Sequence, residues 1–175
     1  PFHVSDADTM LDYVAPGVAA PMDVVVLSRP GCGFCARAKA QLHEHGIDFD
    51  CFEKSSGLGG IWRFQNDNGM STCYRSLHIN TSKRMMELSD FKFRPEIAEY
   101  PAHTGILAEF ERYADEFDVR QHITFDTEVL NCERLKDGRW RVRVRGKTGE
   151  EVRDYDFLAV ANGHHWDPRL PEFAG

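Results

Sequence analysis

The fold is decided by residues 23–53, which read DVVVLSRPGCGFCARAKAQLHEHGIDFDCFE. This stretch opens with an apolar, β-branched run at 24–27, a composition typical of a buried strand. A turn signal follows at 28–31, and good helix formers then continue over 34–45. A second strand is predicted over 47–53. Because a strand, a helix and a strand within about 30 residues have the size of a βαβ unit, the pattern predicts two parallel strands.

The middle of the chain carries weaker signals. Apolar side chains recur at helical spacing over residues 105–117, which predicts an amphipathic helix there. A short helix is predicted near 83–88. Residues 123–129 are predicted to form a single strand.

The strictest pattern lies at residues 139–145, which read RWRVRVR. Alternation places three apolar side chains on one face of a strand and four arginines on the other. The arginines fit a solvated sheet face or an anion site. Turn signals on both sides predict a three-stranded antiparallel meander over 127–160, with a last strand at 156–161. The predicted fold class is therefore α/β: an incomplete Rossmann-like domain with a parallel βαβ start and an inserted antiparallel meander.

Composition and charge exclude several function classes. The chain has 175 residues, of which 42% are hydrophobic and 28% charged, so it can bury a core without disulfides. Its net charge of -7 argues against nucleic acid or an anionic membrane as a partner. No apolar run approaches the roughly 20 residues of a membrane helix. The sequence shows no leader peptide, which predicts a cytoplasmic protein.

The turn after the first strand contains a C-x-x-C motif, Cys32 and Cys35. At the start of a helix, the helix dipole and neighbouring arginines would favour the Cys32 thiolate, and Cys35 would resolve a mixed disulfide. The motif could also hold zinc, but a zinc site needs further ligands. Since Cys73 and Cys132 are isolated, no metal site is predicted.

The same turn also fits the dinucleotide pattern G-x-G-x-x-[GA] through Gly31, Gly33 and Ala36. In that pattern the glycines let a pyrophosphate approach backbone N–H groups at a helix N-terminus. An acidic residue at the end of the next strand, here Glu53, then accepts a hydrogen bond from a ribose hydroxyl. A tight turn that serves the C-x-x-C motif explains the glycines equally well, so both interpretations stand.

Several segments further along form a more specific combination. They are FEKS at 52–55, GLGGIWRF at 57–64, YRSLHINTSK at 74–83, MELSDF at 86–91 and VANGHH at 160–165. Together they resemble the flavin-containing monooxygenase family over about residues 46–175.

By position, this resemblance implies which residues would contact FAD. Glu53, followed by Lys54, corresponds to the acid that holds the adenosine ribose, and the peptide around Val129 to the segment that touches adenine. Asn80 corresponds to the active-site Asn beside the reactive edge of the flavin. The other implied contacts lie in three glycine-containing turns: Gly31, Gly33 and Ala36; Gly59, Gly60, Ile61 and Trp62; and Ala161, Asn162 and Gly163.

The resemblance also implies a reaction. The complete enzyme would reduce FAD with NADPH and pass one oxygen atom from a flavin hydroperoxide to the N, S or ketone group of a small-molecule substrate. This chain would be the FAD-binding part. The NADPH-binding domain would belong to a missing C-terminal domain, so the chain alone would have no turnover.

The front of the chain resembles a different family. PFxVSDADTM at 1–10 and SRPGCxFCAxAK at 28–39 are similar to the glutaredoxin part of peroxiredoxin–glutaredoxin hybrid proteins. This implies a linker or arm over 1–23, a βαβ unit over 24–54, and the remainder of the FAD-binding domain over 55–175. An alternative function follows, a glutathione-linked thiol–disulfide exchange module using Cys32 and Cys35. A third hypothesis is an inactive chimeric fragment.

Overall fold

The computed structural model describes residues 48–88, 90–163 and 171–173, together with the backbone of 24–28. The predicted arm at 1–23 and the predicted helix at 34–45 lie outside the described residues. The fold within them consists of two sheets, one long helix and three short 3-10 turns.

The first sheet is parallel. Its strands, in spatial order, are β3 (Ile123–Thr124), β2 (Phe49–Phe52), β1 (Val24–Ser28) and β7 (Phe157–Ala161). In the centre, Leu27 lies opposite Phe52 on one side and Val160 on the other. The parallel pairing of β1 with β2 confirms the prediction made from residues 23–53.

The second sheet is the antiparallel meander, formed by β4 (Glu128–Arg134), β5 (Trp140–Gly146) and β6 (Gly149–Tyr155). Val142 and Val144 are buried, whereas the arginines that alternate with them, Arg141, Arg143 and Arg145, are exposed, as the alternation predicts. These valines pack with Phe52 of the parallel sheet, which joins the two sheets through a small apolar cluster.

Two strand predictions are wrong in detail. The single strand predicted over 123–129 is divided into β3 and β4, which belong to different sheets, because Asp126 adopts a left-handed conformation with φ 53°. The strand at the end of the predicted meander, β7, pairs with β1 in the parallel sheet. The meander is therefore inserted between β3 and β7 of the parallel sheet.

The long helix, α1, spans His103–Glu116 and confirms the helix predicted over 105–117. Its residues Ile106 and Tyr113 are buried in the main core, which also contains Cys51 of β2 and Ile79. The helix predicted near 83–88 is only a short 3-10 turn, Lys83–Met85. Within the described ranges, no helix has the length and apolar character needed to span a bilayer.

Candidate functional site

The carboxyl ends of the four parallel strands lie along one edge of the sheet. Ser28 of β1 lies opposite Ala161 of β7, and Phe52 of β2 lies opposite Thr124 of β3. Chain order reverses at β1, which has β2 on one side and β7 on the other. In open parallel sheets, ligands bind outside the carboxyl ends of the strands at such a reversal. This edge is the candidate site.

Glu53 directly follows β2 and brings a carboxylate to this edge. Its side chain is only 2% exposed. The backbone N–H of Ser55 donates to Glu53 Oε1 at 2.8 Å, and the Ser55 hydroxyl lies 2.5 Å from the same oxygen. Hydrogen bonds of this kind orient a carboxylate and compensate its burial. The acid predicted to hold a ribose is thus buried and oriented at the edge of the sheet.

The segment before Val129 lies beside Glu53. The N–H of Thr127 donates to the Glu53 carbonyl at 2.9 Å, and the N–H of Asp126 donates to the Ser55 carbonyl at 3.1 Å. Lys54 Nζ is 2.8 Å from Glu128 Oε1, and this hydrogen bond lowers the pKa of Glu128. The structure therefore brings together the two segments that the resemblance assigns to the adenosine end of FAD.

The glycine-rich segment has a backbone that only glycine adopts easily. Gly59 has φ 120° and Gly60 has φ 51°. A Cβ built on Gly59 would lie 2.4 Å from Leu107 Cδ1 of α1, so a side chain there would strain the backbone and require Leu107 to shift. The N–H groups of Gly59, Gly60 and Ile61 donate no hydrogen bond to any described residue. Gly59 and Gly60 are buried and Ile61 is partly exposed, and successive backbone N–H groups of a glycine-rich turn suit an anionic acceptor.

Two side chains hold this segment, and the sequence did not reveal either of them. His103 Nδ1, at the start of α1, lies 3.2 Å from the Trp62 carbonyl. Asn66 Nδ2 donates to the Gly60 carbonyl at 3.1 Å, while its buried Oδ1 has no hydrogen-bond partner among the described residues. Trp62 itself is half-buried against the main core. Neither His103 nor Asn66 belongs to a motif, so only the folded chain identifies them.

Asn80 lies in a separate segment and is exposed. On its two sides, the N–H of Ile79 donates to the Pro101 carbonyl at 3.1 Å and the N–H of Lys83 donates to the Glu99 carbonyl at 2.7 Å. No hydrogen bond within the described residues joins its carboxamide to Glu53 or to the glycine-rich segment. Its proximity to a flavin therefore stays a prediction.

The remaining predicted site residues divide into two groups. Ala161 ends β7 at the candidate edge, and Asn162 and Gly163 follow it, with Gly163 at φ 69°. The other group lies outside the described residues: Gly31, Cys32, Gly33, Cys35 and Ala36. Among the residues that the structure describes, no group of three His, Cys, Asp or Glu side chains could hold a metal ion.

Comparisons with known proteins assign the family. The family model described as FMO-like, flavin-binding monooxygenase-like, matches residues 25–175. The chain belongs to this family. Flavin-containing monooxygenase 5 of Mus musculus is 37% identical over 134 residues, which are 73% of this chain and 25% of that protein. The chain thus spans about a quarter of the length of the curated relatives that it matches.

Solved structures confirm the predicted fold class of this family member. S-allyl-L-cysteine S-oxygenase from Allium sativum aligns with a TM-score of 0.77 and 26% identity, covering 89% of this chain and 39% of that one. Oxidized steroid monooxygenase bound to NADP aligns with a TM-score of 0.66 and 29% identity, covering 89% of this chain and 29% of that one.

The family match also bears on the front of the chain. It begins at residue 25 and therefore includes Gly31, Gly33 and Ala36. The expected resemblance of residues 1–48 to glutaredoxins gains no support from it. The role of these three residues in binding a dinucleotide stays a prediction.

Proposed function

We propose that this chain is the FAD-binding part of an NADPH-dependent flavin monooxygenase. One observation carries the proposal: Glu53 is a buried, oriented carboxylate at the carboxyl edge of β2, the position of a ribose-binding acid in a dinucleotide fold. The family match supports FAD, and the steroid monooxygenase bound to NADP supports NADPH as the second cofactor.

The chemistry of the residues at this edge fits FAD. The carboxylate of Glu53 would accept hydrogen bonds from ribose hydroxyls, whereas the N–H groups of Gly59, Gly60 and Ile61, which donate to no described residue, would donate to phosphate oxygens. The buried Asn66 Oδ1 is a further acceptor that suits a hydroxyl or N–H of the cofactor. FAD presents both kinds of group, since its sugars donate and its diphosphate accepts.

In the complete enzyme, FAD reduced by NADPH would supply the oxygen-transfer chemistry. The residues of this chain would bind and orient it: Glu53 at the ribose, the glycine-rich segment at the diphosphate, the peptide of Val129 at adenine and Asn80 at the reacting edge. The oxygen acceptor would be a small molecule with a nucleophilic N or S atom or a ketone. The NADPH-binding domain would lie outside this chain.

FAD titration of the purified chain tests the proposal. We expect bound flavin with visible absorption and quenched fluorescence. Glu53→Gln should weaken FAD binding about 10- to 100-fold, the worth of a charge-assisted hydrogen bond. Glu133→Gln, on the exposed face of β4, is the matched control and should bind like the unchanged chain. Absence of FAD binding, or equal affinity of the two variants, would contradict the proposal.

A second candidate function is a thiol–disulfide exchange module. It is supported by the C-x-x-C motif, Cys32 and Cys35, a few residues after β1; the predicted strand–turn–helix pattern would place Cys32 at a helix start and so activate its thiol. Reduction of a glutathione mixed disulfide by the purified chain tests it. Activity that disappears in Cys32→Ser and persists in Cys73→Ser would support this function, whereas activity unaffected by Cys32→Ser would exclude it.

A further inference from the structure

The ammonium group of Lys83 is surrounded by backbone carbonyls. Its Nζ donates to the carbonyls of Arg94 at 3.4 Å, Pro95 at 3.1 Å and Ile97 at 2.5 Å. An ammonium group has three N–H donors, so these carbonyls satisfy all of them. No carboxylate forms an ion pair with Lys83 among the described residues. The side chain therefore acts as a clamp between its own segment and the turn at 94–97.

This clamp closes one end of the segment that carries Asn80. The other end is held by Ile79, whose side chain is buried in the main core and whose N–H donates to the Pro101 carbonyl. Lys83 adds its own N–H bond to the Glu99 carbonyl. Residues 79–83 are thus held at both ends, and Asn80 is exposed between them.

The turn at 94–97 is itself attached to α1. Arg94 Nε lies 2.6 Å from Oε1 of Glu109, a fully buried residue of the helix, and the Arg94 N–H donates to Oε2 at 3.3 Å. The same helix contacts the glycine-rich segment through Leu107 and the Trp62 carbonyl through His103. Lys83 therefore links the Asn80 segment to α1 by way of the turn at 94–97, and the glycine-rich segment contacts α1 directly. Both segments are thus positioned relative to the same helix.

We propose that Lys83 is a positioning residue that fixes Asn80 relative to the flavin site, without touching FAD itself. This inference rests on the proposed function, because it assumes that Asn80 faces the cofactor. Loss of the ammonium group would leave the Asn80 side chain intact but release the segment that holds it. The environment of the bound flavin would then change in the same way as when the Asn80 carboxamide is removed.

The test compares Lys83→Met, Lys83→Arg, Asn80→Ala and the double variant Lys83→Met/Asn80→Ala. Lys136→Met, an exposed lysine in the turn between β4 and β5, is the matched control. Thermal unfolding first establishes that each variant folds. Visible circular dichroism of bound FAD then reports the flavin environment, and hydrogen exchange reports the amides of Ile79 and Lys83.

We expect Lys83→Met to speed exchange at these two amides about tenfold, the effect of losing roughly one net hydrogen bond. It should also shift the flavin dichroism, with little further change in the double variant relative to Asn80→Ala, because coupled residues are non-additive. Lys83→Arg, which retains charge and donors, should restore part of the signal. Lys136→Met should change neither measurement.

Unchanged exchange in Lys83→Met would overturn the inference, and so would additive dichroism shifts in the double variant. The failure of the proposed function has a different signature: no variant, nor the unchanged chain, would bind FAD. In that case the hydrogen exchange of the FAD-free chain still decides whether Lys83 holds the Asn80 segment.

Discussion

Polar groups differ in burial and pairing between the meander and the carboxyl edge of the parallel sheet. In the meander, exposed charges pair across neighbouring strands: Arg141 with Asp154 at 2.8 Å and Arg145 with Glu150 at 2.7 Å. At the sheet edge, polar groups are buried, and some of them have no partner among the described residues, as with Asn66 Oδ1. The first arrangement is complete by itself, whereas the second leaves one buried acceptor, Asn66 Oδ1, without a donor among the described residues.

This difference supports the sheet edge, rather than the meander, as the proposed ligand site. Four arginines on one strand first suggest an anion site, but each of them already forms an ion pair with an acidic residue of the meander. Exposed ion pairs of this kind contribute little to stability. A buried polar group without a partner is costly, so it persists where something else completes it. The sheet edge around Glu53 and Gly60 is the place that we propose for it.

The largest expected effect contrasts two glycines with positive φ. Gly59→Ala should lower the free energy of unfolding by about 2–4 kcal/mol, since the backbone strain at a positive φ adds to the cost of shifting the Leu107 side chain. Gly138→Ala, in the turn between β4 and β5 with nothing within 4 Å of its Cβ, should cost only the strain, about 1 kcal/mol. Urea unfolding of both variants measures the difference. Equal losses of unfolding free energy would mean that Leu107 moves aside. Packing at the sheet edge would then be no tighter than in the turn of the meander.

Next in size is the contrast between a buried and an exposed ion pair. Glu109 is fully buried on α1 and binds Arg94 and Arg112 at 2.6 and 2.8 Å. Glu109→Ala leaves two cations without their partner and should cost about 2–3 kcal/mol, since both arginines can still reach water. Asp154→Ala in the meander should leave the free energy of unfolding almost unchanged. A comparable loss of unfolding free energy in Glu109→Ala and Asp154→Ala would contradict the expected difference between the buried and the exposed ion pair.

Lowering the pH should cause part of the loss in unfolding free energy that Glu109→Ala causes. Burial alone would raise the pKa of Glu109, but hydrogen bonds from Arg112 and Arg94 outweigh it and hold the pKa below its ordinary value of 4.5. Because the pKa of Glu109 is lower in the folded chain than in the unfolded chain, its ionised carboxylate stabilises the fold fully above the unfolded pKa. This stabilisation is lost as the pH falls through the folded pKa. Denaturant unfolding between about pH 6 and pH 3 should therefore show a smaller decline for Glu109→Gln than for the unchanged chain. Parallel pH profiles would contradict this.

The smallest effect concerns the contact between the two regions. Asp50 of β2 accepts hydrogen bonds from Arg153 at 2.8 Å and from the Tyr155 hydroxyl at 2.6 Å, both on β6. Burial, and then the Asp50 hydrogen bond and charge, raise the pKa of Tyr155. Asp50→Asn should cost about 1 kcal/mol and lower the pKa of Tyr155 towards its ordinary value. NMR of labelled tyrosine measures the titration, and an unchanged Tyr155 would show that burial alone sets its pKa.

Much of the fold could be predicted because its signals are local. The apolar run before the first turn predicted β1, and strict alternation predicted which face of β5 is buried. The division of residues 123–129 between two sheets was missed, because a left-handed Asp126 has no strong sequence signal. At the candidate site, the pattern singled out Glu53 through its place after a strand. It could not reveal Asn66, which bonds a carbonyl outside any motif, or His103 and Lys83, which contact carbonyls distant in sequence.

The sequence by itself determined the parallel start, the alternating meander and the family, since all three depend on residue types at short, regular spacing. Only the tertiary structure decided which polar groups are buried together. The Glu53 carbonyl accepts a hydrogen bond from the Thr127 N–H, Gly59 packs against Leu107, and Lys83 donates to the Ile97 carbonyl. The reason is physical: burial and hydrogen-bond partnership arise from how distant segments pack, and a local pattern of residues does not record that packing.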